Sequence, residues 1–154
     1  MIFRRYYTIQ SNKNVEDVKR IILGQHLKIH TLDFEISEKE GNLKVIPHAE
    51  FEEHIYTLPI TRLKLSNDGK KTTIKMMSKP RRIDIGGPYL IMIFVTFTFI
   101  AGVLLYFFGE GKYNNTAYLL GGFSIVAFAF LWFRLEAGYF DYIRKIRDWV
   151  KSHV

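Results

Sequence analysis

The chain has no cysteine. That excludes disulfide scaffolds, thiolate zinc sites and cysteine nucleophiles, and it leaves the redox compartment open. Catalytic signatures are also missing. There is no His-Glu-x-x-His and no Gly-x-Ser-x-Gly elbow. The glycine pair at Gly86-Gly87-Pro88 lacks the lysine and spacing of a phosphate loop, so it reads as a joint between two parts of the chain. The opening "MIFRRYYTIQ" has no apolar core after its basic residues and does not read as a signal peptide.

Charge is missing from the middle. From Gly86 to Phe133 the only charged residues are Glu110 and Lys112. The rest of the chain is polar and basic. Residues 1–85 hold 16 Lys/Arg against 11 Asp/Glu, and residues 134–154 hold 5 against 3, which together make up the net charge of +7. A partition this sharp points to two environments, and basic clusters flanking apolar runs point to an anionic membrane surface before nucleic acid.

Pro88 to Gly109 is 22 residues without a charge. As a helix it would be about 33 Å long, close to the roughly 30 Å hydrocarbon core of a bilayer. It has no polar stripe of the kind a water-facing helix needs. Tyr113 to Phe133 is a second uncharged run, reached through the short turn-forming stretch "GEGKYNN". Two spans, about 88–109 and 113–133, therefore form a predicted transmembrane hairpin over 86–134. Lys75, Lys79, Arg81 and Arg82 precede it, and Arg134, Arg144, Lys145, Arg147 and Lys151 follow it. The positive-inside rule then puts both termini in the cytoplasm, at an inner or plasma membrane, with the tight connector outside. The same nine basic residues are the candidate contacts to anionic lipid headgroups. Close packing of the two spans needs small residues at matching heights, and Thr98 and Gly102 on the first face Ala117, Gly121 and Gly122 on the second in this reading. Neither span carries an ionisable residue, which speaks against an ion path through this chain alone.

After the hairpin, Tyr139, Tyr142, Ile143, Ile146, Trp149 and Val150 recur at helical spacing, with charges on the opposite side. Residues 135–154 thus form an amphipathic helix, predicted to lie at the bilayer interface, with packing on the N-terminal domain as the alternative. Gly138 is the expected bend.

Residues 1–85 read as a small cytosolic α+β domain. "IFRRYYTIQ" alternates as a strand, and "NVEDVKRIILGQHL" follows helical spacing behind capping residues. "TLDFEIS", "NLKVIPH", "IYTLPITRLKLS" and "KTTIKMM" are further strands, the last two joined by the turn signal "NDGK". The expected order is β-α-β-β-β-β.

The candidate metal set in this domain is His26, His30, His48, Glu50, Glu53 and His54. These are zinc-ligand types, and His26 and His30 would share a face if the helix reached them. The spacing matches no metal motif. The leading expectation is a non-catalytic membrane protein, with no cofactor, whose cytosolic domain binds a partner, a lipid headgroup or a ligand at the membrane, as an accessory or regulatory subunit or a self-associating scaffold. A protein partner or a homo-oligomer is expected beside the bilayer. A membrane-tethered metal-dependent hydrolase is the second reading. A channel or transporter component built by oligomerisation is the third. Nucleic acid is not expected as a partner, since no recognised binding module accompanies the basic strands.

Overall fold

A computed structural model describes residues 3–39, 41–48, 57–68 and 71–154. The chain divides into two units: residues up to Arg81 together with Gly138–Val154, and Arg82–Ala137.

In the first unit, β1 (Arg5–Ser11) leads to α1 (Val15–Ile22). Asn14 caps α1: its side-chain oxygen accepts from the Asp17 backbone N–H at 2.8 Å, and Glu16 and Asp17 complement the positive end of the helix dipole. The helix stops earlier than its spacing predicts. Gly24 takes φ +75°, a conformation that side chains rarely adopt, and turns the chain into a strand. That strand, β2 (His26–Ile29), is the element the expected order lacked. The meander continues through β3 (Leu32–Lys39), β4 (Asn42–His48), β5 (Pro59–Asp68) and β6 (Lys71–Pro80). The unit is α+β, with one six-stranded antiparallel sheet in the order β1-β6-β5-β4-β3-β2. Pro59 opens β5 and sits opposite Pro80, which closes β6, so neither removes a ladder bond from a strand interior.

Period-two alternation sorts the side chains of the sheet. The inward positions include Ile9, Ile74, Met76, Leu63, Val45 and Phe34, all buried. Thr61 and Ser78 interrupt this face directly opposite each other, and their hydroxyls satisfy one another at 2.7 Å. The eight residues of α1 bury only Val18 and Ile22, too little to cover six strands. The remaining cover comes from the end of the chain.

There, a π-helical turn (Glu136–Phe140) leads into α4 (Asp141–His153). Gly138, the expected bend, lies inside the π turn. Tyr142, Ile143, Ile146 and Val150 are buried within the first unit. Tyr142 packs on Phe34 with ring centroids 5.6 Å apart, and the Arg147 guanidinium lies over Tyr7 at 5.2 Å. The apolar face of residues 135–154, expected at the bilayer interface with packing on the N-terminal domain as the alternative, is thus buried within the first unit. Full burial of four such side chains is worth roughly 6–12 kcal/mol by transfer measure, an upper bound for the attachment.

The second unit is a helical hairpin of α2 (Gly86–Phe108) and α3 (Asn114–Leu135). Glu110 (φ 48°) and Gly111 (φ 77°) make the connector, closed by Lys112 N–H donating to the Gly109 carbonyl at 2.9 Å. Both helices are long and apolar enough to cross a membrane. Only 17% of the most apolar window of each is buried, and Leu90, Phe97, Phe107, Leu119, Phe130 and Phe133 are strongly exposed on the outside. A core helix of a water-soluble fold would bury them.

Candidate functional site

Three groupings of side chains lie on these elements. The first contains the predicted metal candidates. On β2, β3 and β4 the outward positions bring His26, Asp33, Glu35 and His48 together, because the register pairs His26 with Glu35 and Asp33 with His48. The contacts run diagonally: His26 Nδ1 meets Asp33 Oδ2 at 2.7 Å, and His48 Nε2 meets Glu35 Oε2 at 2.6 Å. The two imidazoles stack with centroids 6.0 Å apart. The Asp33 carboxylate holds the His26 pKa above its ordinary value. His30 is elsewhere. It takes φ 55° at the β2–β3 turn, where its Nε2 lies 3.0 Å from Asp141 Oδ2 and 2.6 Å from Lys145 Nζ. The helical pairing of His26 with His30 thus does not occur, since α1 ends at Ile22 and Gly24 redirects the chain. Glu50, Glu53 and His54 lie outside the described residues. Among the described residues, no three ligand-type side chains are placed to hold a metal ion. Asp33 and Glu35, absent from the predicted set, become visible once "HLKI" is read as a strand beside "LDFEISEK".

The predicted headgroup residues form the second grouping. Lys75 and Lys79 point outward from β6. Arg81 follows that strand, its backbone N–H donating to the Leu58 carbonyl at 3.0 Å. Arg144 and Lys145 both reach Asp141, at 3.8 and 3.1 Å, and Arg147 meets Asp148 at 2.7 Å. These are local surface pairs worth little to stability, and they partly neutralise the polar side of α4. Lys151 is exposed on the same helix. Arg82 and Arg134 belong to the hairpin unit and are exposed. The register adds cations that the linear reading passed over. Lys64 on β5 lies directly opposite Lys75, and Arg62 lies two positions away on the same face.

The hairpin seam is the third. A Cβ placed on Gly102 would lie 3.2 Å from the Ala117 carbonyl oxygen and 3.3 Å from the Gly121 backbone nitrogen. Gly102, Ala117 and Gly121 therefore meet at one height, where a side chain on Gly102 would press on backbone atoms of the other helix. Thr98 is buried one turn away and donates its hydroxyl to the Phe94 carbonyl at 2.9 Å. Gly122 has open space around it. Beside the seam a shallow apolar groove of about 190 Å³ is lined by Phe99, Val103, Tyr106, Phe107 and Tyr118. Thr96 and Ser124 also donate to carbonyls four residues back, at 2.8 Å each, so these three hydroxyls are satisfied within their own helices.

Comparison with protein-family models, with curated proteins and with solved structures finds no match. Function therefore rests on the site geometry alone.

Proposed function

We propose that this is a membrane-anchored binding protein: α2 and α3 cross the bilayer as a hairpin, and the α+β unit recognises an anionic partner at the membrane surface. The observation that carries the reading is the outward-facing apolar surface of both helices. In water it would be an exposed patch far larger than monomeric proteins keep. In lipid it is the required surface, and the hydroxyls of Thr96, Thr98 and Ser124 already have their acceptors. Basic flanks on both sides of the hairpin favour cytoplasmic termini.

Binding is favoured over metal-dependent hydrolysis because His26 and His48 are each engaged by a carboxylate and His30 is held by α4. A channel is disfavoured for a related reason, as the hydroxyls of Thr96, Thr98 and Ser124 turn back on their own backbones.

The absence of native cysteine makes the test clean. Lys112→Cys and Lys151→Cys are expressed singly and exposed to a membrane-impermeant maleimide in intact cells. Lys112→Cys labels at once, and Lys151→Cys labels only after permeabilisation. Labelling of both in intact cells, or recovery of the protein in the soluble fraction, defeats the anchoring.

A further inference from the structure

The outward face of the sheet has a feature that folding does not explain. Lys64 and Lys75 are directly opposed on adjacent antiparallel strands, both exposed, and like charges in that relation destabilise a sheet. Among the described residues neither has an ion-pair partner. Arg62 lies on the same face with its Nε–H buried and without an acceptor among the described residues, an unmet donor. Lys79, four positions along β6 from Lys75, extends the same row. Among the residues of β5 and β6 whose side chains are described, no acid stands on this face between Ile60 and Ser66 or between Lys71 and Lys79. At the β1 edge Tyr6 stands opposite Met77 and is 64% exposed.

We propose that this face, centred on Tyr6, Arg62, Lys64, Lys75 and Lys79, docks onto the anionic headgroups of the bilayer that holds the hairpin. Three observations choose this occupant. The face is cationic, so its complement is a surface of negative charge. Among the described residues, the strongly exposed aromatic beside this face is the single tyrosine Tyr6, which suits the headgroup level, whereas single-stranded nucleic acid calls for a series of stacking rings. Only five residues, Arg81–Ile85, join β6 to α2, so the tether keeps a bilayer at high effective concentration. The proposal rests on the anchoring read above and adds the residues and the lipid chemistry.

The test uses the full-length protein in nanodiscs of phosphatidylcholine alone or of phosphatidylcholine mixed with phosphatidylglycerol. An amine-reactive label followed by mass spectrometry reports the reactivity of Lys64 and Lys75. Both are expected to be protected in the anionic discs, and the protection is expected to vanish near 1 M salt, where the Debye length is about 3 Å. Arg62→Gln and Lys79→Gln should each weaken the protection about fivefold, the equivalent of roughly 1 kcal/mol per basic residue near such a surface. Equal reactivity in the two discs overturns the docking while leaving the anchoring intact. Protection in neutral discs by added single-stranded RNA or a polyglutamate peptide, without protection by phosphatidylglycerol, assigns the face to another partner and also overturns it. Failure to enter neutral discs at all overturns the anchoring itself.

Discussion

The Tyr139 hydroxyl donates a 2.6 Å hydrogen bond to the backbone carbonyl of Phe3, joining positions 136 apart in the chain. The two rings meet edge to face with centroids 6.5 Å apart, and next door the Arg5 guanidinium lies 4.3 Å from the centre of the Phe140 ring. The first unit is therefore assembled from both ends of the sequence, with the hairpin inserted between β6 and α4. A domain built this way cannot complete its core until α4 has been made.

If α4 is core cover, its apolar face behaves as core. Ile146→Ala removes a fully buried side chain and should cost about 2–5 kcal/mol. Tyr139→Phe removes this buried hydrogen bond and should cost about 0.5–1.5 kcal/mol. Lys151→Ala on the exposed side should stay within about 0.5 kcal/mol. Denaturant titration of the full-length protein in detergent, followed by amide exchange in β1 and β6, measures all three. A helix merely resting on lipid would show no such difference between Ile146 and Lys151.

The hairpin seam gives a contrast between two glycines. Gly102→Val places a branched side chain where the Ala117 carbonyl and the Gly121 backbone already lie within 3.3 Å of a bare Cβ. Overpacking of this kind should cost about 1–3 kcal/mol and splay the helices. Gly122→Ala meets nothing within 4 Å and should be neutral or slightly stabilising. Thermal denaturation of both variants in the same detergent tests the pair.

Periodicity carries far in this sequence. It locates both apolar helices, and it marks Tyr142, Ile143, Ile146 and Val150 as one face of α4. What covers that face is a tertiary fact: an amphipathic stripe looks alike whether it meets lipid or a sheet. The strand β2 was hidden because "NVEDVKRIILGQHL" keeps helical spacing past the residue where the helix ends. Gly24 was the available signal, a glycine just beyond the last periodic residue. Missing β2 concealed the His26–Asp33 and His48–Glu35 contacts as well. The opposition of Lys64 and Lys75, by contrast, was within reach. The sequence signal "NDGK" points to an antiparallel pairing of β5 with β6, and in the register formed Lys64 falls opposite Lys75.

The His26–Asp33 contact predicts a pH dependence with a definite sign. The Asp33 hydrogen bond, chiefly, raises the folded-state pKa of His26, with the Asp33 and Glu35 charges adding to it and partial burial opposing. The stacked His48 ring also faces the group. Because the folded pKa lies above the unfolded value of about 6.5, the contact's contribution to stability is complete below about pH 6.5 and is lost as pH rises through the folded pKa. Proton NMR of the imidazole should give a midpoint above 6.5 for His26, moving back toward 6.5 in Asp33→Asn. An unchanged midpoint in that variant removes Asp33 as the cause.

Lys64 and Lys75 offer a trade between stability and binding. If their opposition serves only the fold, replacing one of them should do nothing, or should do harm through lost side-chain packing. If the repulsion is retained for an anionic surface, Lys64→Thr should stabilise the sheet by about 0.2–1 kcal/mol, since it removes the like-charge pair and supplies a β-branched residue. The same change should weaken engagement of phosphatidylglycerol-containing discs, because one cation is gone from the row that Arg62, Lys75 and Lys79 continue. The gain should shrink at high salt, where the repulsion it relieves is already screened. Higher stability together with weaker lipid engagement is the signature of a charge kept for function. A stabilised variant that engages anionic discs as well as the wild type would separate the two properties and leave Lys64 without that role.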